Sequence, residues 1–249
     1  GVVLLVGFVL AEAREAHPMM PLGLFRSRVF SGVNGLTLML YFALGGAMFF
    51  LPFELIRVHG WSATAAGSAM LPFAAVMGLF SGAAGRLADR FGARLSLSLG
   101  PALAGVGLVL LALMPPDAGY VSGPLVGMTV MAVGMTLAVG PLTAAVMGAV
   151  PEGHTGVASG VNNAVARIAG LLAIALLGLL LSAVFVSALD GPDGRTVLGQ
   201  VMEGSRTDAV AISAFHQAFR AVMLACAGCA LLAALIGLAT APKRVQSPA

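Results

Sequence analysis

Hydrophobic positions in this chain run in long unbroken blocks, with polar turns between them, rather than as stripes of helical or strand period. A helix rises ~1.5 Å per residue, so about 20 apolar residues cross the ~30 Å hydrocarbon core of a bilayer. Blocks of that length predict six spans: Phe30–Val58, Ala63–Leu87, Leu95–Met114, Val121–Val150, a fifth starting near Thr155 with its apolar core at Ile168–Leu189, and Phe215–Ala239. Pro115-Pro116-Asp117 and Pro151-Glu152-Gly153 make tight turns, and a longer polar loop covers Asp190–Ser213. The chain opens in a short apolar run, Gly1–Ala11, without the basic leader or small-residue cleavage site of a signal peptide. That run is read as the end of a truncated helix. The expected organisation is therefore a helix end at 1–11, a connector at 12–28, a six-helix domain at 29–241 and a tail at 242–249.

Composition supports an all-α polytopic membrane protein whose main partner is the lipid bilayer. Of the 249 residues, 59% are hydrophobic and 9% charged, and the mean hydropathy is +1.00. A soluble domain carries roughly 25% charged residues, so too few are present here to coat a globule. Basic residues fall mostly on one side when the spans alternate: Arg14, Arg26, Arg28, Arg86, Arg90, Arg94, Lys243 and Arg244. The other side sets Arg57, Arg195 and Arg206 against Asp117, Asp190, Asp193, Glu203 and Asp208. Positive charge marks the cytoplasmic side, which predicts a cytoplasmic C-terminus in a cell (inner) membrane. No nucleic-acid partner is expected.

Glycine and proline are common inside the blocks. Gly78/Gly82, Gly123/Gly127 and Gly156/Gly160 stand four apart and permit close helix approach. Pro52, Pro72 and Pro141 are expected to kink their helices. Cys226 and Cys229 form a CxxC inside an apolar block, with no further ligand to complete a metal site, and read as small packing residues. No metal site is expected. No GK[ST] phosphate loop, HExxH or GxSxG turn is present, so neither an ATP-driven pump nor a soluble enzyme is indicated.

The most specific segment is Gly85-Arg86-Leu87-Ala88-Asp89-Arg90-Phe91-Gly92-Ala93-Arg94, between spans two and three. Gly92 allows a tight reversal, and Asp89 lies just ahead of span three, where a helix dipole favours a carboxylate. Arg90 or Arg94 can pair with Asp89 or with neighbouring helix ends, forming a latch; alternatively the arginines only enforce topology. The segment resembles the signature loop of the major facilitator superfamily, G-x-L-A-D-R-x-G-R-R/K, with Ala93 in place of a basic residue. Glu12–Phe30 and Gly156–Gly170 are similar to stretches of its fourteen-span drug:proton antiporter branch (EmrB/QacA type). The resemblance implies the C-terminal six-helix half of such a fold, a 3+3 inverted repeat, preceded by the end of one helix. It further implies proton-driven efflux of amphipathic or cationic compounds, with no cofactor beyond the proton gradient, completed by an absent N-terminal half of the same protein.

Candidate positions follow. Glu54 is the one carboxylate within a predicted span. It either pairs with Arg57 on the next turn or carries a coupling proton. Ser159, Asn163 and Arg167 form a polar stripe at i, i+4 spacing; Arg167 is either a snorkelling anchor or part of a latch between helices. Met128, Met131 and Met135 share one face of span four and suit either core packing or varied apolar ligands. In the family the resemblance points to, the first and fourth helices of each half line the cavity, which adds Asn34 and Tyr41. His216 reads as a lone interfacial histidine. Competing readings are a carrier of another small metabolite on the same fold and a non-transporting membrane scaffold.

Overall fold

A computed structural model describes Gly7, residues 22–189 and residues 193–241. Apart from Gly7, the expected opening helix end, the first part of the connector and the tail with Lys243 and Arg244 lie outside the described residues. A 3-10 turn, Leu22–Arg26, leads into α1 (Arg28–Arg57), followed by α2 (Ala63–Ser68), α3 (Leu71–Phe91), α4 (Ala93–Ala112), α5 (Pro124–Gly148), α6 (Thr155–Ala188), α7 (Gly194–Glu203) and α8 (Ala209–Thr240). Among the described residues six segments are long and apolar enough to cross a membrane, α2 and α3 counting together as one.

Local chemistry sets the helix ends. Ser27 caps α1 by accepting from the Phe30 N–H at 3.3 Å, and Asp208 caps α8 by accepting from the Ala211 N–H at 3.0 Å. Pro72 was expected to kink span two. Instead the span breaks at Ala69–Met70, and Pro72 sits in the first turn of α3, where its missing N–H costs nothing. Pro52, Pro141 and the unanticipated Pro101 lie inside α1, α5 and α4.

Two boundaries differ from expectation. The loop read across Asp190–Ser213 contains α7, and the last span begins at Ala209 rather than Phe215. In α7 the apolar Val197, Leu198 and Val201 are buried, and Gly204 at φ 84° closes the helix in the left-handed region. α6 is one continuous helix of 34 residues, roughly 50 Å long at ~1.5 Å per residue. Its polar first third therefore extends beyond the hydrocarbon.

Packing follows an inverted repeat. In spatial order the spans run α3, α5, α4, α8, α1, α6, each packed chiefly on its neighbour in that row. Exchanging the first three spans with the last three reverses this row onto itself, so α1 corresponds to α5, α3 to α6 and α4 to α8. The two outer members are the least covered: 11% of the most apolar stretch of the α2–α3 segment and 28% of that of α6 are buried, against 56% for α4.

Glycine makes the seams close. A Cβ on Gly100 would stand 2.8 Å from the Gly134 carbonyl oxygen, and one on Gly107 would stand 2.6 Å from that of Gly127. This α4–α5 seam uses glycines seven apart on both helices. Of the expected four-apart pairs only Gly123/Gly127 meets neighbours closely; Gly78, Gly156 and Gly160 have open space around them. Replacing Gly134 with Leu should separate α4 from α5 and destabilise the full-length protein by about 1–3 kcal/mol, read as a lower melting temperature in detergent, with Gly134→Ala intermediate.

Candidate functional site

Polar groups concentrate at three places along this apolar bundle. The first is the basic turn. α3 runs through Phe91, and Gly92, at φ 89° and ψ 146°, reverses the chain directly into α4. Asp89 therefore lies in the last turn of α3 and is exposed, not in a loop ahead of α4; among the described residues it forms no ion pair. The Arg94 guanidinium Nε–H donates to the Leu238 carbonyl at 2.6 Å. Leu238 is near the C-terminus of α8, where carbonyls lack intrahelical partners and a cation is favoured. Arg94 thus straps α4 to α8, as the helix-end alternative anticipated. Arg90 lies 5.5 Å from the centre of the Phe91 ring, and Gly85 is half-buried in α3.

The second place is the α1–α6 seam. The Asn162 side-chain amide donates to Thr37 Oγ1 at 2.7 Å and to Asn34 Oδ1 at 3.2 Å, and Asn34 Nδ2 donates back to the Phe30 carbonyl at 2.9 Å. Asn34 is buried and committed to α6, which corrects its expected place on a cavity wall; Tyr41 stays half-buried. Asn163 and Arg167 are exposed and Ser159 is half-buried. The expected stripe therefore points outward while Asn162, one position along, makes the contact. Asn162 falls in line with buried Ala158, Ala169, Ala173 and Leu177, a small-residue stripe that was readable as the packed face.

Met128, Met131 and Met135 are 0%, 1% and 1% exposed. They are buried in the hydrophobic core of the bundle, which corrects their expected place along a ligand path. The concave surface of α5 is elsewhere: Val76, Phe80 and Leu87 of α3 face Thr129, Val133 and Thr136 of α5 across an apolar groove of about 550 Å³.

The third place is the opposite end of the bundle. Glu54 is fully buried, with Oε1 2.5 Å from His216 Nδ1 of α8 and 3.9 Å from His59 Nε2. Among the described residues it forms no ion pair with Arg57, correcting that expectation. Arg57 Nη2 instead donates to the Met202 carbonyl at 2.6 Å, meeting the carboxyl end of α7. His216 is 8% exposed and so is a buried partner rather than a lone interfacial group. A separation of 162 residues hid this pairing from the sequence. Burial holds the His59 pKa below its ordinary 6.5, while the Glu54 charge pulls the other way.

Removing the amide in Asn162→Ala should destabilise the full-length protein by about 0.6–1.7 kcal/mol, the range for hydrogen bonds between membrane helices. Asn163→Ala, one position away, should leave the melting temperature in detergent unchanged.

Comparison with known proteins places this geometry. The chain is 31% identical over 183 residues to the multidrug resistance protein Stp of Mycobacterium tuberculosis, covering 74% of this chain and 34% of that protein. It is 34% identical over 169 residues to the lincomycin resistance protein of Streptomyces lincolnensis, covering 68% and 35%. Identity to the tetracenomycin C resistance and export protein of Streptomyces glaucescens is 29% over 181 residues, covering 73% and 34%. The chain thus spans about a third of the length of the curated relatives it matches. The family model described as Major Facilitator Superfamily matches residues 6–174, across the basic turn, the α1–α6 amides, the first four spans and part of the fifth, and the chain belongs to that superfamily.

Proposed function

We propose that this chain is the C-terminal six-helix half of a proton-driven exporter of amphipathic or cationic compounds, of the fourteen-span type. The observation that carries the reading is the pair of poorly covered helices, α3 and α6, which the inverted repeat makes equivalent. They offer two matching faces to the second half of the same protein, and alternating access rocks one half against the other about a site near the midplane. The groove between α3 and α5 is lined by side chains that are apolar apart from two threonines. Such a wall suits hydrophobic and amphipathic molecules and offers a sugar almost nothing to bond, which favours this reading over a carrier of hydrophilic metabolites. The names of the relatives, resistance and export proteins for antibiotics and other drugs, support the same choice.

The basic turn supplies the latch in this reading. Arg94 is already engaged with α8, whereas Asp89, Arg86 and Arg90 are exposed and stand ready for the second half on the cytoplasmic side. Energy comes from the proton gradient. Half-buried Ser159 and exposed Asn163 and Arg167 of α6 lie near the same end and extend the polar contact.

In cells lacking other pumps, the full-length protein should lower accumulation of a fluorescent amphipathic cation, and a protonophore should abolish the difference. Val133→Trp narrows the groove without entering the buried core and should weaken export of bulky compounds at unchanged membrane abundance. Full export of every compound by this variant would remove the groove from the pathway. Asp89→Asn keeps the shape of the turn and should slow export severalfold; unchanged transport would reduce Asp89 to a topology marker.

A further inference from the structure

The cluster at the far end of the bundle holds more ionisable groups than a structural tie between helices needs. Glu54 is 0% exposed, and its Oε2 has no hydrogen-bond partner. His59 Nε2, 3.9 Å from Glu54 Oε1, is likewise buried and unbonded. A buried polar atom without a partner costs about 1–3 kcal/mol, and two in one place call for an explanation. A proton on His59 Nε2 supplies one for the imidazole, since it gives that atom a hydrogen and sets a positive charge 3.9 Å from Glu54 Oε1.

The surroundings complete the inventory. From α8 comes His216, with Arg220 exposed one turn further on. From α1 comes Arg57, whose Nη2 donates to the Met202 carbonyl of α7 and whose Nε is buried without a partner. From the α4–α5 connection, Asp117 acts on His59 through its charge, and the Ala118 carbonyl accepts from it. Arg206 and Asp208 pair with each other at the surface. Beside His59, the Trp61 ring lies 6.3 Å from the imidazole. Trp61 and Tyr120 line an open cavity of about 460 Å³ with Ala65, Ser68 and Ala69.

We propose that Glu54, His216 and His59 form a proton-binding site at the end of the bundle opposite the basic turn, filled from water through the Trp61–Tyr120 cavity. At rest Glu54 Oε1 and His216 Nδ1 are hydrogen-bonded to each other and His59 is neutral. A proton from water then adds to His59 Nε2 and raises the charge of the cluster by one; release returns it to the same cavity. Burial and the opposing Glu54 charge bring His59 near the pH range in which histidine switches. Because His59 sits below its ordinary value in the folded protein, its neutral form stabilises the fold above about pH 6.5, and that hold is lost as the pH falls through the window below it. Loading therefore loosens the junction of α1, α2 and α8 from the aqueous side. Use of this proton in transport rests on the export reading above; the existence of the site does not.

Trp61 is the single tryptophan of this chain and reports on His59 directly. In purified full-length protein in lipid, with tryptophans outside this chain replaced by Phe, its emission should quench as the pH falls from about 8 to 5. His59→Gln should abolish that transition. Glu54→Gln removes the charge that favours the imidazolium and should move the midpoint down by about one pH unit, whereas His216→Gln should move it up. Opposite shifts cannot come from general loosening of the helices. A pH-independent emission, or a midpoint that neither substitution moves, overturns the site. If Glu54→Gln fails to accumulate, the His216 and His59 substitutions decide the matter alone. A normal titration in a protein whose export ignores the proton gradient leaves the site standing and removes the export reading.

Discussion

Hydrocarbon offers no hydrogen bonds, so each polar atom in a span must find its partner inside the protein. Backbone groups meet this demand by forming helices, and association then loses the hydrophobic drive available in water. What remains is close van der Waals contact and a few polar cross-ties. The glycine-lined seam between α4 and α5 follows from this constraint, because only backbone-to-backbone approach at Gly100, Gly107, Gly127 and Gly134 gives two apolar helices enough contact. Gly237, packed against the Leu97 carbonyl, plays the same part between α4 and α8.

Among the described residues polar cross-ties between helices are few, and α1 takes part in most of them. At one level Asn34 and Thr37 receive the Asn162 amide from α6; at the far end Glu54 meets His216 from α8. Arg57, on the next turn, holds the carboxyl end of α7. One helix thus joins three others through named hydrogen bonds, so a displacement of α1 is felt by α6, α7 and α8 together. Change in the charge of the Glu54 cluster acts on the α1–α8 tie, one turn from the Arg57 contact with α7.

The number of spans, their order and the reversal at Gly92 were legible in the sequence because block length and one glycine decide them locally. Cross-chain pairing was not. Glu54 and Arg57 are close in sequence and suggest an ion pair, yet the helix carries Arg57 to α7 and Glu54 to His216. Asn162 and Asn163 look interchangeable until the small-residue stripe through Ala158, Ala169 and Ala173 shows which of them faces α1. The methionines of α5 show a limit of another kind. A shared helix face was read correctly, but periodicity alone does not say whether that face meets another helix or a ligand. In lipid both sides of a helix are apolar, so the contrast that separates core from surface in water is missing.

The repeat is symmetric in path and unequal in what fills it. Its equivalences map the α1–α6 seam onto the α5–α3 seam. The first is fastened by the Asn162 amide bonds; the second encloses an apolar groove of about 550 Å³, and α3 has little of its surface covered. A helix held by few contacts costs less to move than one held by hydrogen bonds across a dry interface. The chain therefore has a stiff wing, built on α1 and α6, and a compliant one, built on α3. The compliant wing ends in Gly92, whose left-handed backbone joins it to α4, and α4 is strapped to α8 by Arg94.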